Sequence, residues 1–102
     1  MSQLTLTKRF YVNLGYKLTY SSQALKQLKK LDKPMSKKLV TWLNDRIPHA
    51  SNPRLWGDQL KGNLGGFWRY RVGDFRVICE IRDHELVVLV LQVGHRKEIY
   101  SE

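Results

Sequence analysis

Phe67-Trp68-Arg69-Tyr70-Arg71-Val72-Gly73-Asp74-Phe75-Arg76-Val77-Ile78-Cys79 decides the fold, because β-prone residues alternate on both sides of a glycine-containing pair. Residues 67–72 and 75–82 flank Gly73-Asp74, a two-residue connection of the kind that closes a tight antiparallel hairpin. The register follows from that turn: Val72 opposes Phe75, Arg71 opposes Arg76 and Arg69 opposes Ile78. Alternate residues of a strand share a face. Arg69, Arg71 and Arg76 therefore project one way. Trp68, Tyr70, Val72, Phe75, Val77 and Cys79 project the other way, where helices can cover them.

Downstream, Asp83-His84 reads as a second two-residue connection, leading to a third strand over residues 85–92. Upstream, residues 16–20 (YKLTY) alternate and predict a strand. Ser21 or Ser22 then offers an N-cap for a helix through about Leu31. Leu25, Leu28 and Leu31 make its apolar stripe, with Lys26, Lys29 and Lys30 mostly off it. Asp32-Lys33-Pro34 break that helix and begin another, with the proline in the first turn. Met35, Leu39, Trp42, Leu43 and Ile47 recur at helical spacing until Pro48. Residues 48–66 hold two prolines and four glycines, so they read as a connector, pinned by Leu55, Trp56, Leu60 and Leu64. The expected order is β-α-α-β-β-β, an α+β fold with a helical hairpin packed on a mainly antiparallel sheet.

A length of 102 residues suits one domain, assigned to residues 16–102. Residues 1–15 are set apart as an N-terminal extension without an assigned role: an added edge strand, an arm, or sequence upstream of the natural start. A domain this small buries only about two thirds of its unfolded surface. Lys and Arg number 18 against 9 Asp and Glu, a formal charge of +9. Such an excess attracts polyanions, nucleic acid first among them, because each neutralised phosphate releases counterions. A charge kept for solubility, or a basic membrane patch, is the plainer reading. No stretch has the basic and aromatic pattern of an interfacial helix, and the longest apolar run, residues 86–91, is too short to span a bilayer. The sole cysteine, Cys79, forbids an internal disulfide and suits a reducing compartment. With no secretory signal in the early residues, the expected location is the cytoplasm.

Like charges directly opposite one another weaken a sheet, so Arg69, Arg71 and Arg76 on one face suggest an anionic ligand. Arginine suits phosphate, since its planar fork makes two parallel hydrogen bonds. The alternative is a solvated face neutralised by nearby acids such as Glu80. The third strand runs on into Val93-Gly94-His95-Arg96, which brings His95 and Arg96 toward the Arg71 and Arg76 end. Histidine moves protons near neutral pH, and Tyr100 could stack on a base. Alternatively His95 is a capped polar residue and Tyr100 a core aromatic. His49, His84 and His95 lie in separate segments, and one cysteine cannot build a structural zinc site. The glycines at 62–66 lack the ending of a phosphate-cradling P-loop. No metal or cofactor is expected.

The stretch Leu60-Lys61-Gly62-Asn63-Leu64-Gly65-Gly66 followed by Phe67 to Arg76, together with Val93-Gly94-His95-Arg96 and a tyrosine shortly after, resembles the RelE/StbE branch of the RelE/ParE toxins. The resemblance runs over residues 16–100. It implies a microbial ribonuclease-like fold and a toxin of a type II toxin–antitoxin system. The implied activity is that of a ribosome-dependent endoribonuclease that cuts mRNA and inhibits translation. The reaction is a metal-free attack of a 2′-hydroxyl on the adjacent phosphate. Implied partners are a RelB-like antitoxin, the ribosome and its mRNA, and operator DNA only through the antitoxin complex, with no membrane. Arg69 and Arg71 stand where the family has two lysines, and with Lys61 they are the implied RNA-binding residues. Arg76 matches a phosphate-stabilising arginine and Arg96 one that stabilises the leaving group or transition state. Tyr100 matches a terminal tyrosine that holds the substrate. An arginine stays protonated and is a poor base, which leaves His95 as the acid or base. The rival reading is a ParE-like DNA gyrase poison without nuclease activity.

Overall fold

The computed structural model describes residues 15–62 and 65–97. Residues 1–14 of the extension, Leu64 as a core pin and Tyr100 as a site residue fall outside them. Five strands, β1 (Lys17–Tyr20), β2 (Gly57–Gln59), β3 (Trp68–Val72), β4 (Phe75–Arg82) and β5 (Val87–His95), form one sheet in the order β1-β5-β4-β3-β2. β1 runs parallel to β5 and every other pair is antiparallel. Two helices, α1 (Ser22–Lys30) and α2 (Lys33–Arg46), separate β1 from the rest. The expected α+β architecture is present, with one strand more than expected.

Ser21 is the N-cap of α1, and its hydroxyl accepts from the Ala24 N–H. The buried stripe of α1 is Ala24 and Leu28 with Leu31 packed beside them; Leu25 is turned out and 47% exposed, against expectation. Ala24, Leu28 and Leu31 follow the i, i+4, i+7 spacing of one helix face, which Leu25 does not share with Leu31. In α2, Leu39, Leu43 and Ile47 are fully buried, with Met35 and Trp42 at their margin. These side chains meet Tyr70, Val72, Val77, Cys79, Val88, Val90 and Val93 from the sheet in one core. Cys79 lies buried there, and burial pushes its thiol up to about 12.

Three connections depart from the sequence reading. The chain between β4 and β5 is a 3-10 turn, Asp83–Glu85, followed by Leu86 in the left-handed region at φ 54°. β5 accordingly starts at Val87 and runs to His95. That conformation aims the Leu86 carbonyl at β1, where it accepts from the Lys17 N–H at 2.7 Å. Second, β5 carries a bulge: Ile78 pairs with Gln92 but Cys79 with Val90, so Leu91 is the extra residue. A bulge shifts the alternation by one. Val88 and Val90 point to the core before it, and Val93 after it.

Third, the 48–66 connector contains β2. The segment Pro53–Trp56 makes a 3-10 turn held by the Tyr70 hydroxyl donating to the Pro53 carbonyl at 2.7 Å and by Trp68 Nε1 donating to the Arg54 carbonyl at 3.2 Å. Pro53 and Leu60 are the buried anchors here, whereas Leu55 and Trp56 are exposed. From that turn the chain enters β2 alongside β3, so close that a Cβ on Gly57 would sit 2.2 Å from the Arg69 carbonyl oxygen.

Candidate active site

The hairpin register is the expected one: Val72 pairs with Phe75, Arg71 with Arg76 and Arg69 with Ile78. Its positive-φ residue is Gly73, at φ 59°, a conformation glycine adopts without steric cost. With the helices covering one face, the three arginines emerge on the other, beside a small cluster of Leu60, Ile78 and Phe67. Gly94 pairs with Arg76 and brings no side chain to that face.

The arginines are not equivalent. Arg69 is 8% exposed and donates from NH2 to Asp58 Oδ2 at 2.6 Å. Arg71 is exposed and meets the same oxygen at 3.7 Å. Asp58 lies directly across from Arg69 in the β2–β3 pairing, which is why its carboxylate is on this face. Arg76 folds back over the hairpin turn, donating from NH1 to the Gly73 and Phe75 carbonyls at 3.1 and 3.0 Å. Its guanidinium holds its proton less tightly than usual, through burial first and then the nearby charges of Arg71, Arg69 and Arg96. Arg96 reaches the same end of the sheet because its N–H donates to the Asp74 carbonyl at 2.7 Å, with Nε 4.0 Å from the Asp74 carboxylate. Four guanidinium groups therefore share one end of the β3–β4–β5 surface. Two carboxylates, Asp58 and Asp74, are set among them.

His95 closes β5 opposite Phe75, its ring edge-on to the phenyl with centroids 5.6 Å apart. Its height along the sheet is as expected, next to the arginines. By alternation its side chain leaves on the helix side of the pleat, because the bulge at Leu91 shifts the register by one. His95 Nδ1 accepts from the Lys97 N–H at 3.1 Å. Beyond the end of β1, the free edge of β5 is held by α1: Ser21 donates to the Leu91 carbonyl at 3.0 Å and Gln27 accepts from the Val93 N–H at 2.6 Å. Lys61 is exposed just past β2, next to buried Leu60. Glu80, the acid the alternative reading offered as a neutraliser, is paired with Arg82 at 3.0 Å. Asp58 takes that part. Asp58 is not legible in the sequence because β2, three residues long, shows no periodicity, and the nearest signal is a lone acid before the LKG motif. No three His, Cys, Asp or Glu side chains among the described residues converge to hold a metal.

A family model described as the ParE toxin of the type II toxin–antitoxin system parDE matches residues 18–100. The mRNA interferase toxin RelE of Escherichia coli (strain K12) is 30% identical over an alignment of 92 residues that covers 87% of this chain and 94% of that protein. The mRNA interferase RelE of Shigella flexneri matches to the same extent. Among solved structures, the toxin–antitoxin complex RelBE2 of Mycobacterium tuberculosis matches with a TM-score of 0.70 at 24% identity, over 82% of this chain and 94% of that one. The archaeal RelE–RelB complex of Pyrococcus horikoshii OT3 matches with a TM-score of 0.65 at 24% identity, over 83% and 99%. A two-helix, five-strand mixed sheet, an arginine surface on its uncovered face and these likenesses lead to one assignment: the chain belongs to the RelE/ParE superfamily of type II toxins, on its RelE branch.

Proposed function

We propose that this chain is the toxin of a type II toxin–antitoxin system and an endoribonuclease that cuts messenger RNA. The observation that carries the reading is the convergence of Arg71, Arg76 and Arg96 at one open end of the sheet, in a chain whose 30%-identical relatives are named mRNA interferases. Attack of a 2′-hydroxyl on the neighbouring phosphate builds negative charge on the phosphoryl oxygens. Preset guanidinium groups stabilise that charge. Arg76, held by the turn carbonyls, is preorganised for this task, and Arg96 lies beside it for the leaving oxygen. Arg71 is exposed and can meet the phosphate, whereas Arg69 is committed to Asp58. His95, at the rim of the sheet, is the proposed proton-transfer group, with the ribose lying over that rim. Tyr100 and Lys61 complete the proposed substrate contacts.

The partners in this reading are a RelB-like antitoxin and the translating ribosome, which places the protein in the cytoplasm. Operator DNA would be met only through the antitoxin complex. No helix among the described residues is long and apolar enough to cross a membrane. The ParE description of the family model supports a second reading, a gyrase poison. In vitro translation with end-mapping of the message separates the two: discrete breaks within codons support the nuclease. An intact message together with gyrase-dependent DNA breaks supports the poison. Losing one charge-assisted contact to a transition state costs about a hundredfold in rate. Arg76→Ala and Arg96→Ala are each expected to slow cleavage by that order while keeping the fold. Full cleavage by both variants would remove this surface from the reaction.

A further inference from the structure

We propose that Asp58 is a positioning residue for cleavage: its carboxylate fixes Arg69 as a buried strut and tethers Arg71 at the place from which it meets the phosphate. The inference rests on the ribonuclease reading and assigns different work to two arginines that a sequence pattern treats alike.

The geometry is asymmetric around one atom. Asp58 Oδ2 lies 2.6 Å from Arg69 NH2 and 3.7 Å from Arg71 NH2. The first contact is a charge-assisted hydrogen bond, the second an ion pair too long to be one. Exposure follows the same division: the Arg69 side chain is 9% exposed and that of Arg71 57%. Arg69 Nε is buried with no hydrogen-bond partner, so Asp58 is what makes its charge tolerable inside the sheet. Arg71 can exchange its loose contact for a phosphate oxygen at little cost. Arg69 cannot.

The position of the carboxylate is set by backbone pairing. Asp58 pairs with Arg69 across β2 and β3, and a slip of one residue would move it to the helix side. Gly57 permits the close approach of the two strands, since any Cβ there would strike the Arg69 carbonyl. Without Asp58, Arg69 and Arg71 would lose their paired carboxylate, leaving Asp74 beside Arg76 and Arg96, with Arg71 directly opposite Arg76. Mutual repulsion would push the exposed Arg71 away from Arg76, which the turn carbonyls hold in place. The Asp58 charge biases the exposed Arg71 toward this end of the sheet, and such preorganisation favours the transition state over the ground state.

The test is cleavage of a defined message in a reconstituted translation mixture, with kcat and KM measured for the full chain. Asp58→Asn removes one negative charge, so KM is expected to hold or fall. Released positioning is expected to lower kcat on the order of tenfold. In an Arg71→Ala background the same substitution is expected to lower kcat much less, because Arg71 is gone and only the Arg69 strut is left to loosen. Asp58→Glu keeps the charge but displaces the carboxylate by one methylene. It provides the same readout if the asparagine variant folds poorly, with kcat again falling and KM holding. A kcat that falls equally with and without Arg71 would assign Asp58 to stability alone and overturn the proposal. A rise in kcat on Asp58→Asn would overturn it too, marking Asp58 as a brake on the positive surface. Wild-type protein that cuts no message would overturn the ribonuclease reading and this inference with it, whereas a cutting wild type with unchanged variants overturns this inference alone.

Discussion

Asp83 joins three parts of the chain through one carboxylate. Arg54 donates to it from both terminal nitrogens at 3.0 and 2.9 Å, and the Tyr16 hydroxyl donates at 2.8 Å. These bonds, Arg54 first and Tyr16 second, hold its carboxyl down at about 2. They tie the start of β1, the 3-10 turn before β2 and the β4–β5 connection to each other. A carboxylate whose folded value lies below its unfolded one stabilises the fold above the unfolded value and loses that contribution as pH falls through the folded one. The window therefore runs from about pH 4 down to about pH 2. Asp83 is 51% exposed and Arg54 38%, so solvent screens the pair and the effect is modest. Thermal midpoints of the wild type and Asp83→Asn, compared in steps from neutral pH to pH 2.5, are expected to differ most above pH 4 and to converge below it. A gap that stays constant through that window would show that the carboxylate charge does no stabilising.

At the scale of elements, what pins β2 is its fit against β3. Gly57 is where the fit is tightest: a Cβ would meet the Arg69 carbonyl oxygen at 2.2 Å and the Tyr70 ring at 2.8 Å. Neither backbone nor a fully buried ring can move away cheaply. Gly57→Ala is expected to destabilise the domain by about 1–3 kcal/mol, the usual cost of overpacking, and to lower cleavage further by carrying Asp58 away from Arg71. Urea unfolding and the cleavage assay check both parts, and an alanine variant as stable as wild type would contradict the close approach. The same contrast explains what the sequence made legible. The β3–β4 hairpin was readable because Gly73-Asp74 and the alternation around it are local, and they fix the side on which Arg69, Arg71 and Arg76 emerge. The α2 stripe was readable for the same reason. β2 was not: three residues carry no period, and their strand character comes from β3. Nor was the bulge at Leu91, which turns His95 to the helix side although its position along the sheet was foreseen. The β4–β5 connection took Leu86 into a left-handed conformation that no glycine announced.

For the molecule as a whole, the +9 charge matters through where it can be used. Both helices cover one face of the sheet, and Lys26, Lys29 and Lys30 of α1 stay exposed on that side as a solvated surface. The opposite face gathers Arg71, Arg76 and Arg96 at one end. A phosphate backbone bound there displaces counterions in proportion to the contacts made, about 0.7 per contact for single strands. The three guanidinium contacts alone contribute about −2 to the slope at which log affinity for a short, uncleavable 2′-O-methyl RNA falls with log salt. Arg76→Ala is expected to flatten that slope by about 0.7, and Lys29→Ala on the helix side to leave it unchanged. Fluorescence anisotropy over a salt series measures both. The two variants carry the same net charge, so a charge acting as a diffuse cloud would flatten the two slopes equally. Unequal slopes require that the phosphates lie on the arginine end, beside the guanidinium held over the hairpin turn.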